Sequence, residues 1–162
     1  MSVSIKFWVE GEPAQQGSMS AFPIMNKKTG KPVLNERGVP VINMAPNSPK
    51  TKPWKKKVRL AAQEHRPEQP MDGAIVLVLR FFLERPKSVS EKKRPYPTVY
   101  PDNDKLIRAI GDALTGIIYN DDAQVVDIIS RKRYGNPGVE IEVFELTPET
   151  DIECGAIQGR LF

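Results

Sequence analysis

The chain has 162 residues, of which 40% are hydrophobic and 27% are charged, a composition typical of a globular domain rather than a fibrous or disordered chain. Its only cysteine, Cys154, excludes an internal disulfide and a zinc site built from paired thiolates. The net charge is +4, and no apolar run reaches the roughly 20 residues that a membrane-spanning helix needs. The N-terminal residues also lack the pattern of a signal peptide, so we expect one cytoplasmic domain without a membrane segment.

The first half of the chain predicts a strand, an excursion and a helix. Alternating apolar residues indicate a strand over residues 2–10. Residues 14–49 break into short apolar pieces separated by glycine and proline, which predicts a hairpin-like excursion with a flexible basic tip. A helix is expected from about Thr51 to Glu64, with Thr51 or Lys52 near its N-cap. The residues expected to face the core are Val3, Ile5, Phe7 and Val9 of the strand and Trp54, Val58 and Ala61 or Ala62 of the helix.

The second half predicts a central strand, a loop, a helix and two further strands. Residues 73–83 are apolar at both alternations, which is typical of a strand buried on both faces. Prolines make residues 84–101 an irregular, mobile loop, and helical periodicity returns over residues 102–115. After a short extended piece, IIY, two strands are expected over residues 124–134 and 139–147. This order indicates an α+β domain with one mixed sheet and two helices packed on it. The inward stripe of the second helix is Leu106, Ile110, Ala113, Leu114 and Ile117.

The positive charge is concentrated in one part of the chain. Between Lys27 and Arg59 there are ten basic residues and one acidic residue, a local charge of +9. Such a segment is typical of a surface that binds DNA or RNA, although a solvated lysine face that keeps the protein soluble explains it equally well. The residues predicted to contact DNA are Lys27, Lys28, Lys31, Lys52, Lys55, Lys56 and Lys57, together with Lys92, Lys93, Arg94 and Lys105.

Two pairs of aspartates flank the second helix. Asp102 and Asp104 lie at its start, and Asp121 and Asp122 follow it. An aspartate at a helix start commonly caps the free backbone N–H groups, which accounts for Asp102 but not for the other three. Like charges this close raise each other's pKa unless a positive group lies between them. Carboxylates without clustered histidine or cysteine favour Mg²⁺ or Mn²⁺ over zinc.

Other chemistries lack support in the sequence. The only histidine, His65, lies at the end of a lysine-rich helix and is expected to be a solvated or capping residue. The stretch NKKTGKP lacks the earlier glycine of a phosphate-binding loop, and there is no dinucleotide-binding glycine pattern, so no nucleotide cofactor is expected. No serine or cysteine has a readable histidine partner for nucleophilic catalysis.

The stretch PDNDKLIRAIGDALTGIIYNDDAQVVDI resembles the core signature of the RusA-type Holliday junction resolvases. In that family D-x-D-N-x-x-K, a helix reading DAL and then DDAQV follow one another in this order. The resemblance implies that Asp102, Asp104 and Asp122 bind the metal, with Asp121 as a supporting neighbour. It places Arg108 at the position of the family's catalytic lysine and Lys105 at the position of its asparagine. Arginine keeps the charge of that lysine but cannot release a proton.

The resemblance also implies an activity and a domain organisation. It predicts a Mg²⁺-dependent homodimer that cuts two strands of a four-way DNA junction, with a RusA-like nuclease domain over residues 1–148 and a C-terminal tail over residues 149–162. One alternative is a protein of the same fold that binds branched DNA without turnover. Another is an RNA-binding or assembly module in which the acids are only a helix cap and solvated charge.

Overall fold

The computed structural model describes residues 4–17, 19–46, 48–148 and 151. The predicted elements form where the sequence placed them, with ends shifted by a residue or two. Val3, Cys154 and most of the predicted tail lie outside the described residues. The elements are β1 (Ser4–Glu10), β2 (Met19–Pro23), β3 (Ile42–Pro46), α1 (Thr51–Glu64), β4 (Ile75–Leu83), α2 (Asn103–Leu114), a short 3-10 helix (Asp122–Gln124), β5 (Val125–Tyr134) and β6 (Gly138–Glu145).

Four of the strands form one mixed sheet in the order β1–β6–β4–β5, and β2 pairs with β3 in a separate two-stranded sheet. β4 lies parallel to β5 and antiparallel to β6, and β1 is antiparallel to β6. A parallel neighbour requires a crossover connection, which α2 supplies between β4 and β5. β4 is buried on both faces, as its apolar sequence predicts. The α+β class and the mixed sheet are therefore confirmed.

Both helices contribute their apolar faces to one core with the sheet. Ile75, Leu77, Leu79 and Phe81 of β4 point into this core, so these alternate positions define the helix-covered face of the sheet. The helix side chains that pack with them are Trp54, Val58 and Ala62 of α1 and Leu106, Ala109, Ile110, Ala113 and Leu114 of α2.

The bounds of α1 agree with the prediction, and Thr51 is the first helical residue, next to the N-cap residue Lys50. Thr51 is buried, and its hydroxyl donates a hydrogen bond of 2.8 Å to the carbonyl oxygen of Gln15. Thr51 therefore joins the start of α1 to the segment that contains Gln15 and does not cap the helix. At the other end, His65 is the C-cap residue, is exposed as expected, and stacks on the ring of Phe7.

Residues 11–17 form a linker that crosses the N-terminal ends of both helices. The side chain of Gln15 is buried, and its Oε1 accepts a hydrogen bond of 2.7 Å from the backbone N–H of Asp102. The backbone N–H of Gln16 donates a bond of 3.0 Å to the carbonyl of Lys105. The linker thereby fixes the start of α2 relative to α1.

Residues 19–46, which we call the arm, form the predicted excursion. Beyond the β2–β3 pair, two turns follow one another, and each is closed by an asparagine. Oδ1 of Asn26 accepts a bond from the N–H of Lys28, and Oδ1 of Asn35 accepts bonds from the N–H groups of Arg37 and Val39. Gly30 and Gly38 complete the turns with φ values of 66° and 73°, which glycine adopts without strain. No described side chain of the arm is buried.

Residues 84–101 form no helix or strand, as expected, but side-chain contacts with β5 hold them in place. The guanidinium of Arg85 lies 4.1 Å from the ring centroid of Tyr134, and Lys132 Nζ donates to the carbonyl oxygens of Val99 (2.9 Å) and Pro101 (2.7 Å). These contacts hold the chain that leads into α2.

The piece after α2 that was expected to be extended is a turn. Gly116 has a φ of 76°, and the carbonyl of Leu114 accepts from the N–H groups of Ile117 and Ile118. Of the three residues in IIY, only Tyr119 pairs as in a strand, with Met71 and Thr115. No helix in the described residues is long and apolar enough to cross a membrane.

Candidate active site

The first aspartate pair lies exposed at the N-terminus of α2. Asp102 occupies the N-cap position, but its side chain makes no capping hydrogen bond with the backbone, contrary to the expectation for this residue. Its Oδ2 instead accepts a bond of 2.7 Å from Lys105 Nζ. This hydrogen bond, reinforced by the charge of Lys105, holds the pKa of Asp102 below its ordinary value. The Asp102 carboxylate thus already binds a cationic group.

Asp104 and Arg108 lie one helical turn apart on the exposed side of α2. This spacing would allow an ion pair between them. In the described part of the chain, however, Arg108 makes no ion pair and Asp104 accepts no hydrogen bond. Both charged groups are therefore available to a ligand.

The second pair begins the 3-10 helix that leads into β5. Asp121 Oδ1 accepts a bond of 2.9 Å from the N–H of Ala123, and its own N–H donates one of 2.8 Å to Oε1 of Gln124. This reciprocal arrangement is a capping box. The hydrogen bond from the Ala123 N–H lowers the pKa of Asp121. Asp121 thus has a structural role, which its spacing from Gln124 could have indicated.

Asp122 lies towards the C-terminal half of α2, whereas Asp102 and Asp104 lie at its N-terminus. Burial, with smaller contributions from the charges of Asp122 and Asp112, raises the pKa of Tyr119 to about 12. The hydroxyl of Tyr119 donates to the carbonyl of Gly111, 3.2 Å away. Across the residues that the structure describes, no three Asp, Glu, His or Cys side chains come together as a metal site. The acids are arranged as two pairs along α2.

A third polar cluster joins the two helices, and sequence reasoning did not find it. Lys55 Nζ lies 3.0 Å from Asp112 Oδ2 and 2.9 Å from Gln16 Oε1, and the amide of Gln16 also donates to Asp112. Lys55 was predicted to contact DNA, yet its ammonium is held here by a half-buried carboxylate. Nothing in the spacing of these residues indicates that they meet, because they come from three separate segments.

The structure separates the other predicted DNA-binding residues. Lys52 and Lys56 lie on the exposed side of α1 that faces the arm, whereas Lys57 lies beside Glu12 and Trp54 on another side of the helix. Lys105 is bonded to Asp102. The remaining predicted cations are exposed in the arm (Lys27, Lys28 and Lys31) or lie in the loop of residues 84–101, where Lys92 and Lys93 are exposed and Arg94 is half-buried near the ring of Tyr134.

Comparison with known proteins identifies the family of the chain. The family model of endodeoxyribonuclease RusA matches residues 26–144, which include part of the arm, both helices and three strands of the mixed sheet. The chain is also 33% identical to the uncharacterized protein YqaN of Bacillus subtilis (strain 168) over 153 residues, which cover 88% of this chain and 97% of that protein. The chain belongs to the RusA endodeoxyribonuclease family. The match confirms the resemblance seen in residues 101–128, and at the level of the family it implies a Holliday junction endodeoxyribonuclease.

Proposed function

We propose that this protein cuts four-way or similarly branched DNA junctions by metal-dependent hydrolysis of phosphodiester bonds. The observation that carries the proposal is the pair Asp102 and Asp104, which are exposed at the start of α2 within the family match and do not cap the helix. If these acids served only as a helix cap, Asp102 would be bonded to backbone N–H groups, and it is bonded to Lys105 instead.

The donor chemistry of the pair fits Mg²⁺ or Mn²⁺, which prefer carboxylate oxygens. Asp102 and Asp104 would hold the ion. The family signature also assigns Asp122 to it, whereas in the structure Asp122 lies towards the other end of α2. A bound divalent cation supplies Lewis acidity and lowers the pKa of water. Lys105 Nζ lies against Asp102 Oδ2, so Lys105 has to move when an ion binds to that oxygen.

The residues around the acids have separate tasks in this proposal. Arg108, free of ion pairs among the described residues and one turn from Asp104, binds the phosphate that is cut and stabilises its developing charge. Because a guanidinium does not release its proton, the proton of the leaving group comes from water or another side chain. The cations of the arm and of α1 bind the phosphates that flank the cut.

Paired cutting of two strands requires two sites, so we propose that the active form is a homodimer. A dimer with two-fold symmetry presents the same site twice, and a four-way junction presents equivalent strands on opposite sides. Measuring the molecular mass in solution, with and without junction DNA, tests this part of the proposal separately from the chemistry.

The central experiment measures cleavage of a synthetic four-way junction with and without Mg²⁺. Asp102→Asn, Asp104→Asn and Asp122→Asn should each abolish cleavage while junction binding stays equal or becomes tighter, because a negative charge near phosphate is removed. The matched control is Asp127→Asn, in the same segment. Asp127 pairs with Val76 on the sheet face that the helices leave uncovered, so activity should persist.

Asp121→Asn should cause a milder loss, since asparagine is also a good N-cap residue. Substantial cleavage by any of the three site variants would contradict the metal assignment. Tight junction binding with no cleavage in either Mg²⁺ or Mn²⁺ would favour the alternative of a binding protein without turnover.

A further inference from the structure

The arm exposes eight large apolar side chains. A two-stranded ribbon is at best marginally stable in water, and exposed apolar patches on folded proteins commonly mark binding surfaces. The large apolar side chains of the arm that are more than a third exposed are Phe22, Ile24, Met25, Val33, Leu34, Val39, Ile42 and Met44.

A groove of about 650 Å³ lies between the base of the arm and the outer side of α1. Met44 of the arm and Leu60 of α1, 53% and 52% exposed, are its apolar side chains. Lys52, Lys56 and Arg59 line it with spacings of four and three residues, so they share one side of the helix. The groove therefore combines an apolar surface with a row of cations.

Charge complementarity identifies the kind of molecule that fits. None of the residues lining the groove is acidic, and the arm itself has a local charge of +3 from four basic residues and Glu36. An arm of a second copy placed in this groove would bring positive charge against positive charge. A polyanion would instead neutralise the cations of α1 that line the groove. The volume, which is in the range of small-molecule sites, is enough for a short stretch of one sugar–phosphate strand.

We propose that this groove binds a single DNA strand, with phosphates along Lys52, Lys56 and Arg59 and with sugars or bases against Met44 and Leu60. Proteins that hold single strands combine a positively charged groove with side chains against which the bases pack, most often aromatic ones, and Met44 and Leu60 take that place here. Gln16 lines the groove and donates to Asp112 of α2, so the strand passes beside the helix that carries the candidate catalytic acids. The inference rests on the proposed function, because it supplies a path for one strand of the substrate.

The test of the cationic wall measures binding of a fluorescent oligo-dT strand by anisotropy in EDTA, where no cleavage occurs. The variant Lys52→Gln/Lys56→Gln should bind roughly 10-fold more weakly, and its salt slope should fall by roughly 1.4, which is 0.7 for each lost phosphate contact. The matched control, Lys6→Gln/Lys87→Gln, removes the same charge outside the groove and should change affinity by less than about 3-fold. All four lysines are exposed, so the fold should persist, which circular dichroism verifies.

The apolar surface has its own test. Met44→Ser/Leu60→Ser should weaken binding about 3- to 10-fold with the salt slope unchanged, because no phosphate contact is lost. The control is Phe22→Ser. Phe22 pairs with Asn43 and Met44 pairs with Ala21, so Phe22 lies on the opposite face of the ribbon and its loss should leave oligo-dT binding unchanged.

Two results would overturn the inference. In the first, the Lys52/Lys56 variant binds no more weakly than the Lys6/Lys87 control. In the second, Met44→Ser/Leu60→Ser binds as the wild type does, and a loss of dimer in sedimentation would then assign the groove to a second copy of the chain. Failure of the proposed nuclease function would look different. The wild type would bind oligo-dT through the groove but would leave four-way junctions uncut in Mg²⁺.

Discussion

Lys105 competes with any metal ion for the Asp102 carboxylate, since its Nζ lies 2.7 Å from Oδ2. It also holds the pKa of Asp102 below the ordinary value, so the carboxylate stays ionised further into the acid range. In Lys105→Gln we expect the pKa of Asp102 to rise towards that of a free aspartate. When the cleavage rate is plotted against pH, its fall on the acid side should therefore begin at higher pH. At pH values where Asp102 is ionised, less Mg²⁺ should be needed for half-maximal cleavage, because Lys105 no longer competes for the carboxylate.

NMR titration of the Asp102 carboxyl carbon measures the first effect, and cleavage rates at graded Mg²⁺ measure the second. Lys87→Gln, an exposed lysine in the loop after β4, is the control for a general loss of positive charge. An unchanged Asp102 pKa in Lys105→Gln would show that the hydrogen bond is not formed in solution.

Substitutions of Arg108 test whether its guanidinium is catalytic or is an ordinary surface charge. An exposed ion pair with Asp104 would contribute about 0 to 1 kcal/mol and would affect catalysis little. The structure shows no such pair. Arg108→Ala should therefore reduce turnover about 100-fold or more, while Arg108→Lys should keep much of the activity because the positive charge is retained. Single-turnover cleavage at saturating Mg²⁺ measures both variants, and a wild-type rate for Arg108→Ala would exclude the catalytic role.

For single residues, the sequence singled out the candidate aspartates but did not reveal which side chains surround them. Spacing alone put Asp102 at a helix start, where capping is the usual role, and it could not reveal that Lys105 takes up the carboxylate. Whether a side chain bonds to the backbone or to a neighbour depends on rotamers and on local competition for hydrogen bonds. The same limit applies to Lys55. Its place in a basic segment predicted a contact with DNA, but in the structure its ammonium group forms an ion pair with Asp112.

Among the elements, the linker of residues 11–17 determines how the first acid is placed. Gln15 is buried and accepts the backbone N–H of Asp102, a donor at the helix N-terminus that has no partner within α2. Gln15→Ala removes this acceptor and should lower the free energy of unfolding by about 0.5 to 1.5 kcal/mol. The N-terminal turn of α2 should also fray, and cleavage should fall through weaker Mg²⁺ binding. Urea unfolding, hydrogen exchange of the Asp102 amide and Mg²⁺ titration measure these effects.

Gln15→Glu separates positioning from charge. The carboxylate of glutamate can still accept the Asp102 N–H, so the helix start should exchange as slowly as in the wild type. Its added negative charge lies near Asp102 and should raise the pKa of that residue. If Gln15→Ala exchanged at the wild-type rate at Asp102 while unfolding at lower urea, Gln15 would be a stabilising residue without a positioning role.

Periodicity predicted the helices and the sheet strands because each has one apolar face, or two in the case of β4, that must be buried. The stripe of α2 from Leu106 to Leu114 is an example. The linker has no periodicity, so its contacts could not be predicted. IIY was read as extended from its β-branched residues, but the preceding Gly116 allows the chain to turn, and tertiary contacts of Tyr119 hold it there.

For the molecule as a whole, the distribution of charge predicts the response of DNA binding to salt. The arm and α1 together contain nine basic residues and two acidic ones, a net charge of +7 in a chain whose total is +4, and no described side chain of the arm is buried. Each phosphate that these cations neutralise releases counterion, so the affinity for a four-way junction should fall steeply between 50 and 200 mM salt, by about 10³-fold or more if six phosphates are contacted. Titrations at several salt concentrations in EDTA measure the slope. A nearly flat slope would rule out binding through these cations.

The arrangement of the sheet is the part that one sequence could not supply. The apolar patterns of β1 and β6 mark both as strands with one buried face, but they contain no information that the two are neighbours. The parallel pairing of β4 and β5 was implied by the helix between them, as in other crossover connections. Strand order depends on the packing of all layers together, which a residue-by-residue pattern does not encode.

The pairing of β1 with β6 also governs when the protein can fold during synthesis. Ser4 lies opposite Phe144 and Glu10 lies opposite Gly138, so the first described strand has no partner until residues 11–137 have been made. Contacts this distant along the chain close late, because the entropy of a long loop must be overcome first. The basic arm and α1 therefore leave the ribosome long before the sheet that supports α2 is complete. With the function proposed above, a nascent chain would attract DNA before it is able to cut it.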